Sequence, residues 1–192
     1  MILNNLALKY GTDKKMGHHD YTKHYEYWFK PLKNDKIKLL EIGVKRGASV
    51  RMWEEYFPLG SIVGIDINKN CLKQRSKRIQ IEIGDQGDEV FLNSIGKKYG
   101  PFDIIIDDGS HRWRHQIDGH KQLFPYLKKG GLYVIEDLHT SFNSQWSLGA
   151  ETCTEYLCKL ANDMTLARRK GAKPVEHEAI HFYKSMAIIV KK

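Results

Sequence analysis

The chain has 192 residues, 41% hydrophobic and 28% charged, a composition that fits one soluble globular domain able to bury its own core. No apolar run approaches the roughly 18 residues of a membrane span, and the N-terminal stretch shows no signal-peptide pattern. The net charge of +8 is spread along the chain, and no nucleic-acid motif accompanies it, which argues against a nucleic-acid partner.

Its tightest basic cluster is Arg168, Arg169 and Lys170. Cys71, Cys153 and Cys158 form no C-x-x-C pair. That argues against a thiolate metal site, and a reducing compartment, the cytoplasm, is expected.

In chain order, "YGTDKKMGHHDYTKHYEYWF" (10–29) comes first. Tyr21, His24, Tyr25 and Trp28 fall at i, i+3, i+4 and i+7, one face of a helix. From residue 37 the chain alternates strand and helix. "IKLLEIGV" (37–44) is a buried strand, and "GASVRMWEEYF" has helical spacing at Val50, Trp53, Tyr56 and Phe57. "SIVGIDI" (61–67) and "IQIEIGD" (79–85) read as strands. A helix follows Gly87, with Asp88 as its cap and Val90, Phe91 and Ile95 among its apolar positions. Then come strand "FDIIIDDG" (102–109), a helix around Gln116 to Leu127, and strand "GGLYVIED" (130–137). Strands buried on both faces and separated by helices predict a parallel α/β sheet. "EAIHFYKS" and "MAIIVKK" predict an antiparallel hairpin closing one edge. The organisation expected is a single domain over 1–192. Within it, 1–30 is a segment ahead of the sheet domain 37–192, and 138–150 is a long polar-aromatic connection suited to a substrate lid.

Each predicted parallel strand ends in an acid: Glu41, Asp66, Asp85, Asp107 with Asp108, and Glu136 with Asp137. One such acid is explained by a helix cap or a solvated loop. Five strands ending this way predict a ring of carboxylates where open α/β sheets bind ligands. Glu41, Gly43 and Gly47 form E-x-G-x-x-x-G, whose glycines let the backbone approach a ligand. Lys45 breaks the G-x-G-x-x-G dinucleotide fingerprint. Asp66 is placed to accept hydrogen bonds from ribose hydroxyls, so a nucleoside-type ligand is expected.

The stretches "YGTDK", "YTKHYE", "LLEIGV", "GIDI", "GPFDIIIDDGSH" and "GGLYVIEDLHTS" resemble the class I S-adenosylmethionine-dependent methyltransferases. More narrowly, they are similar to the metal-dependent sugar O-methyltransferases of macrolide biosynthesis. The resemblance implies a Rossmann-like seven-stranded sheet, mostly parallel, with an antiparallel C-terminal hairpin. It implies that Glu41, Asp66, Asp85, Gln86 and Asp107 line the cofactor pocket. Thr12, Lys14 and Tyr21, bunched ahead of the aromatic stripe, join Gly43 as further cofactor contacts expected of a covering N-terminal segment.

Asp108, Glu136 and Asp137 lie at the tips of two strands. Their hard oxygens suit Mg²⁺ or Mn²⁺, without which three converging carboxylates repel one another. The catechol-type methyltransferases have a similar layout, with a base three residues past the first acid. That position is His111, read as the general base. His18 and His19 read as surface or cap residues, and His115 and His120 as structural. His139 and Trp146 belong to the candidate lid. The expected function is metal-dependent O-methylation of a sugar-containing small molecule or glycan, with a homo-oligomer left open. The alternatives are a nucleoside- or RNA-directed methyltransferase, a dinucleotide-dependent oxidoreductase, and a non-catalytic cofactor-binding module.

Overall fold

A computed structural model describes residues 1–167, 169, 171 and 174–192; Arg168 and Lys170 of the basic cluster lie outside the described residues. These fall into two compact units, Met1–Asp85 and Gln86–Lys192. The fold is a seven-stranded, mostly parallel sheet with an antiparallel C-terminal pair, three strands in the first unit and four in the second. Among the described residues no helix is long and apolar enough to cross a membrane.

The first unit contains α1 (Ile2–Tyr10), α2 (Thr22–Phe29), β1 (Lys38–Ile42), α3 (Ala48–Tyr56), β2 (Ser61–Asp66) and β3 (Ile79–Ile83). Its strands run parallel in the order β3-β2-β1, with Leu40 opposite Val63 and Gly64 opposite Ile81. Leu39, Leu40, Glu41 and Ile42 are all buried, so continuous burial replaces the alternation of a one-sided strand. Helix α3 turns Val50, Met52, Trp53 and Tyr56 inward. Against Trp53 pack Tyr25 and Phe29, at ring distances of 5.1 and 5.6 Å.

The aromatic stripe differs in detail from its sequence pattern. Tyr21 is the N-cap of α2, and the buried rings are Tyr21, Tyr25 and Phe29, while His24 and Trp28 are half-buried. Helix α1 was not foreseen. It ends on Gly11, whose left-handed conformation (φ 72°) lets its N–H reach the carbonyls of Ala7 and Leu8. At its start the Leu3 N–H, one of the donors a helix leaves unpaired, bonds Glu26 at 2.7 Å.

The second unit contains α4 (Glu89–Tyr99), β4 (Phe102–Asp107), α5 (Trp113–Leu123), β5 (Leu127–Ile135), α6 (Cys153–Leu166), β6 (His177–Tyr183) and β7 (Met186–Lys191). Its strands lie in the order β4-β5-β7-β6, with β4 and β5 parallel and β7 antiparallel to both neighbours. The expected hairpin is thus present, and its second strand is the one that joins the sheet. Asp88 caps α4 by accepting from Val90 and Phe91 N–H at 2.9 and 3.1 Å. The face of α4 is rotated from expectation: Val90 is 80% exposed, and Leu92, Ile95 and Gly96 go inward. Helix α5 stops at Leu123 rather than Leu127, because Pro125 enforces a 3₁₀ turn over Phe124–Tyr126.

Candidate functional site

In the first unit the loop after β1 is built on left-handed backbone at Gly43 (φ 91°), Lys45 (φ 53°) and Gly47 (φ 77°). A Cβ on Gly47 would lie 2.5 Å from Gln74 Oε1, so the Gln74 side chain would have to move, and the left-handed backbone there favours glycine. Lys45 is the one of these three residues that carries a side chain. It takes the same conformation at a cost of about 1–2 kcal/mol for a residue with a Cβ.

Asp66, the last residue of β2, restrains this loop. Its Oδ2 accepts the N–H groups of Val44 and Lys45 at 2.9 and 2.8 Å, and its Oδ1 accepts Asn68 N–H at 2.8 Å. Burial pushes its pKa up, but the Lys45, Asn68 and Val44 amides outweigh that, and the carboxyl sits below the usual carboxylate range. The Cys71 thiol donates to the Lys45 carbonyl at 3.1 Å. Burial, with Asp66 nearby, pushes that thiol up to about 11 and keeps it a protonated donor. The carboxylate expected to face a ribose is thus also the splint of the loop.

Glu41 is fully buried within β1, and its Oε2 accepts the Ser49 hydroxyl at 2.9 Å. Lys14, equally buried, brings its Nζ to 3.8 Å from Glu41 Oε1. Thr12 and Tyr21 are buried too, and Thr12 Oγ1 accepts the Lys14 N–H at 3.4 Å. The N-terminal residues singled out in the sequence therefore belong to the interior of this unit. Asp85 is exposed, just past the end of β3.

In the second unit β4 ends in Asp107, which turns inward and is fully buried. Gln86 Nε2 donates to its two oxygens at 2.8 and 2.9 Å, and the Gly109 N–H adds 3.3 Å. Burial pushes Asp107 up to about 7, against the pull of Gln86 and Gly109. Gln86 Oε1 accepts the Ser110 N–H at 2.9 Å, and the Ser110 hydroxyl meets His115 Nδ1 at 2.8 Å. A glutamine and a buried acid thus fix the turn that leads to His111.

Past that turn Asp108, His111 and Asp137 each offer one ligand atom, and the three atoms lie within 4.8 Å of one another. His111 Nε2 is 3.4 Å from Asp137 Oδ2, while its buried Nδ1 has no hydrogen-bond partner among the described residues. Both His111 (φ 56°) and Asp137 (φ 57°) are non-glycine residues in left-handed backbone. Strain of that kind, about 1–3 kcal/mol each, collects at functional sites. The Trp146 ring is 6.1 Å from that of His111. His139 Nδ1 lies 3.8 Å from Asp137 Oδ1. Glu136 is buried and is not one of the three. His120 is interior, with Nδ1 2.9 Å from the Tyr156 hydroxyl.

Two carboxylates and an imidazole converging on one point fit a divalent cation of Mg²⁺ or Mn²⁺ type. The two carboxylates are hard donors and leave positions for acceptor oxygens, while the imidazole is a softer donor better suited to taking a proton beside them. Sequence reasoning missed Thr140, whose hydroxyl touches the backbones of both His111 and Asp137. Nothing but its place in "EDLHTS" pointed to it.

No family model matches the chain. Named relatives do. The chain is 36% identical, over an alignment of 208 residues, to 8-demethyl-8-alpha-L-rhamnosyl tetracenomycin-C 2'-O-methyltransferase of Streptomyces olivaceus, covering 99% of this chain and 54% of that protein. It is 43% identical over 148 residues to mycinamicin VI 2''-O-methyltransferase of Micromonospora griseorubida, covering 73% of this chain and 37% of that one. The chain thus spans about half the length, or less, of these curated relatives. Among solved structures it matches the MycE methyltransferase from the mycinamycin biosynthetic pathway in complex with Mg, SAH and mycinamycin VI. The TM-score is 0.92 and the identity 34%, over 100% of this chain and 53% of that one. In sequence and in fold the chain is thus similar to part of the macrolide-type sugar O-methyltransferases, and its sheet is the Rossmann-like methyltransferase fold.

Proposed function

We propose that the chain is an S-adenosylmethionine-dependent, divalent-cation-dependent O-methyltransferase acting on a sugar hydroxyl of a glycosylated metabolite or glycan. The observation that carries this reading is the convergence of Asp108, His111 and Asp137 in a chain whose relatives are named as sugar O-methyltransferases. Asp108 and Asp137 hold the cation, with Glu136 as the adjoining acid of the set. When bound, S-adenosylmethionine would supply the methyl group and leave as S-adenosylhomocysteine, and the cation would supply positive charge that offsets the carboxylates and lowers the pKa of the acceptor hydroxyl. His111 Nε2 takes the hydroxyl proton as the new oxygen–carbon bond forms. Asp66 and Gly43 shape the loop that meets the cofactor. Glu41, buried with Lys14, anchors that loop from below, and Thr12, Tyr21 and Asp85 complete this side. Gln86 and Asp107 fix the turn that presents His111.

In this reading the chain works as one domain, with residues 1–30 as its cofactor-covering segment. The connection 138–150 is a lid over the acceptor, supported by Trp146 beside His111 and by the exposed Phe142 and Leu148. Three cysteines in thiol form fit the cytoplasm. The test is methyl transfer from labelled S-adenosylmethionine, with Mg²⁺, to a panel of glycosides, alongside calorimetry with S-adenosylhomocysteine and NAD. Label on a sugar hydroxyl is expected. Binding of NAD alone, or label entering only RNA, would overturn the reading.

A further inference from the structure

We propose that Thr140 is a positioning residue for the cation site, its hydroxyl aligning the backbones of His111 and Asp137 so that both side chains reach one point. This rests on the reading of Asp108 and Asp137 as cation ligands with His111 as the base beside them.

The pairing between β4 and β5 ends with Asp107 opposite Ile135, followed by the Glu136 N–H on the Asp107 carbonyl at 3.0 Å. His111 and Asp137 lie beyond that point, on two separate connections. Thr140, almost fully enclosed, continues the link: its Oγ1 is 3.1 Å from the His111 carbonyl and 2.9 Å from the Asp137 carbonyl. A hydroxyl has a single proton to donate, so the two carbonyls share it, and each is held where that proton can serve both.

Thr140 is itself fixed. Its N–H donates to the Asp137 carbonyl at 3.0 Å, and its own carbonyl accepts Trp113 Nε1 from α5 at 2.8 Å. The contact with Asp137 alone would be ordinary local back-bonding of a threonine to the carbonyl three residues earlier. The contact with His111, 29 residues away in sequence, is not local and has no such explanation.

The geometry also accounts for the paired left-handed backbones. A residue with a Cβ stays in that region when its surroundings over-determine it, and φ and ψ together set where the Cβ points. Fixing the carbonyls of His111 and Asp137 therefore fixes the directions of the imidazole and the carboxylate. Releasing them lets each relax toward right-handed backbone and swing its side chain away from the other.

The experiment measures Mn²⁺ binding by electron paramagnetic resonance, with S-adenosylhomocysteine affinity by calorimetry and kcat alongside. It compares the wild-type chain with Thr140→Val and Thr140→Ser. Thr140→Val keeps the shape and removes the donor, and should weaken Mn²⁺ binding about 10–100-fold, the range for groups that orient metal ligands. S-adenosylhomocysteine affinity should stay near wild type, and Thr140→Ser should restore Mn²⁺ binding to within a few-fold. Should Thr140→Val fail to fold, Thr140→Cys, a weak donor of similar size, should bind Mn²⁺ more weakly than Thr140→Ser. Wild-type affinity in Thr140→Val, or equal weakening in the serine variant, would overturn the inference alone. A wild-type chain that takes up no Mn²⁺ would overturn the cation reading and this inference with it.

Discussion

Asp66 accepts backbone N–H groups from Val44, Lys45 and Asn68, and removing it frees a loop as well as a ligand contact. Asp66→Ala should weaken S-adenosylhomocysteine binding by about 1–3 kcal/mol, the scale of hydrogen bonds with a charged partner. Calorimetry checks this, and unchanged affinity would take Asp66 out of the site. His111 is a sharper case, since its Nε2 stands where it can serve as a base or as a cation ligand. As a base it is worth ~10²–10⁴-fold in rate, so His111→Ala should lower kcat by that order and leave Mn²⁺ affinity nearly unchanged. Loss of Mn²⁺ binding in that variant would make His111 a ligand instead. The acids at the strand tips stood out in the sequence because carboxylates are unexpected at the mouth of apolar strands, although Glu41, Asp66 and Asp107 also hold interior and loop contacts. The left-handed backbones of Lys45, His111 and Asp137 were not, since glycine alone marks that conformation strongly and Asp and His are only enriched in it.

Among the elements, α5 carries a group whose titration can be followed. His120 is buried, and burial, with His177 and Lys121 nearby, lowers its pKa to about 3. The folded state therefore keeps His120 neutral while the unfolded chain takes up a proton below its ordinary value near 6.5. Its contribution to stability is complete above pH 6.5 and is lost as pH falls toward 3, at up to ~1.4 kcal/mol per pH unit for one group. Denaturant melts of His120→Gln should show a flatter slope than wild type in that window; equal slopes would mean that His120 titrates normally. The strands were readable because β1 and β4 are nearly continuous apolar runs. The hairpin was readable because two such runs lie close together. Helix α6 went unread although Thr152 and Glu155 form a capping box at its start, the signature of a helix N-terminus. Its buried residues, Cys153, Tyr156 and Leu157, cluster at that end, so the apolar period fades along its length.

For the molecule as a whole, the alternation of strands and helices identified a parallel α/β sheet, and the seven strands agree. Composition could not reveal that the chain matches only part of longer proteins; the relatives reveal it. Nor could it reveal which acids meet, because Asp108 and Asp137 are far apart in sequence and converge only through the parallel pairing of β4 with β5. The proposed chemistry depends on that convergence being a working cation site. Methyl transfer from labelled S-adenosylmethionine to a glycoside acceptor, measured with excess chelator and again after Mg²⁺ or Mn²⁺ is restored, tests it most directly. Activity should vanish with chelator, return with either ion, and fail to return in Asp108→Ala. Full activity in excess chelator would contradict the account and leave Asp108 and Asp137 as acids without a cation.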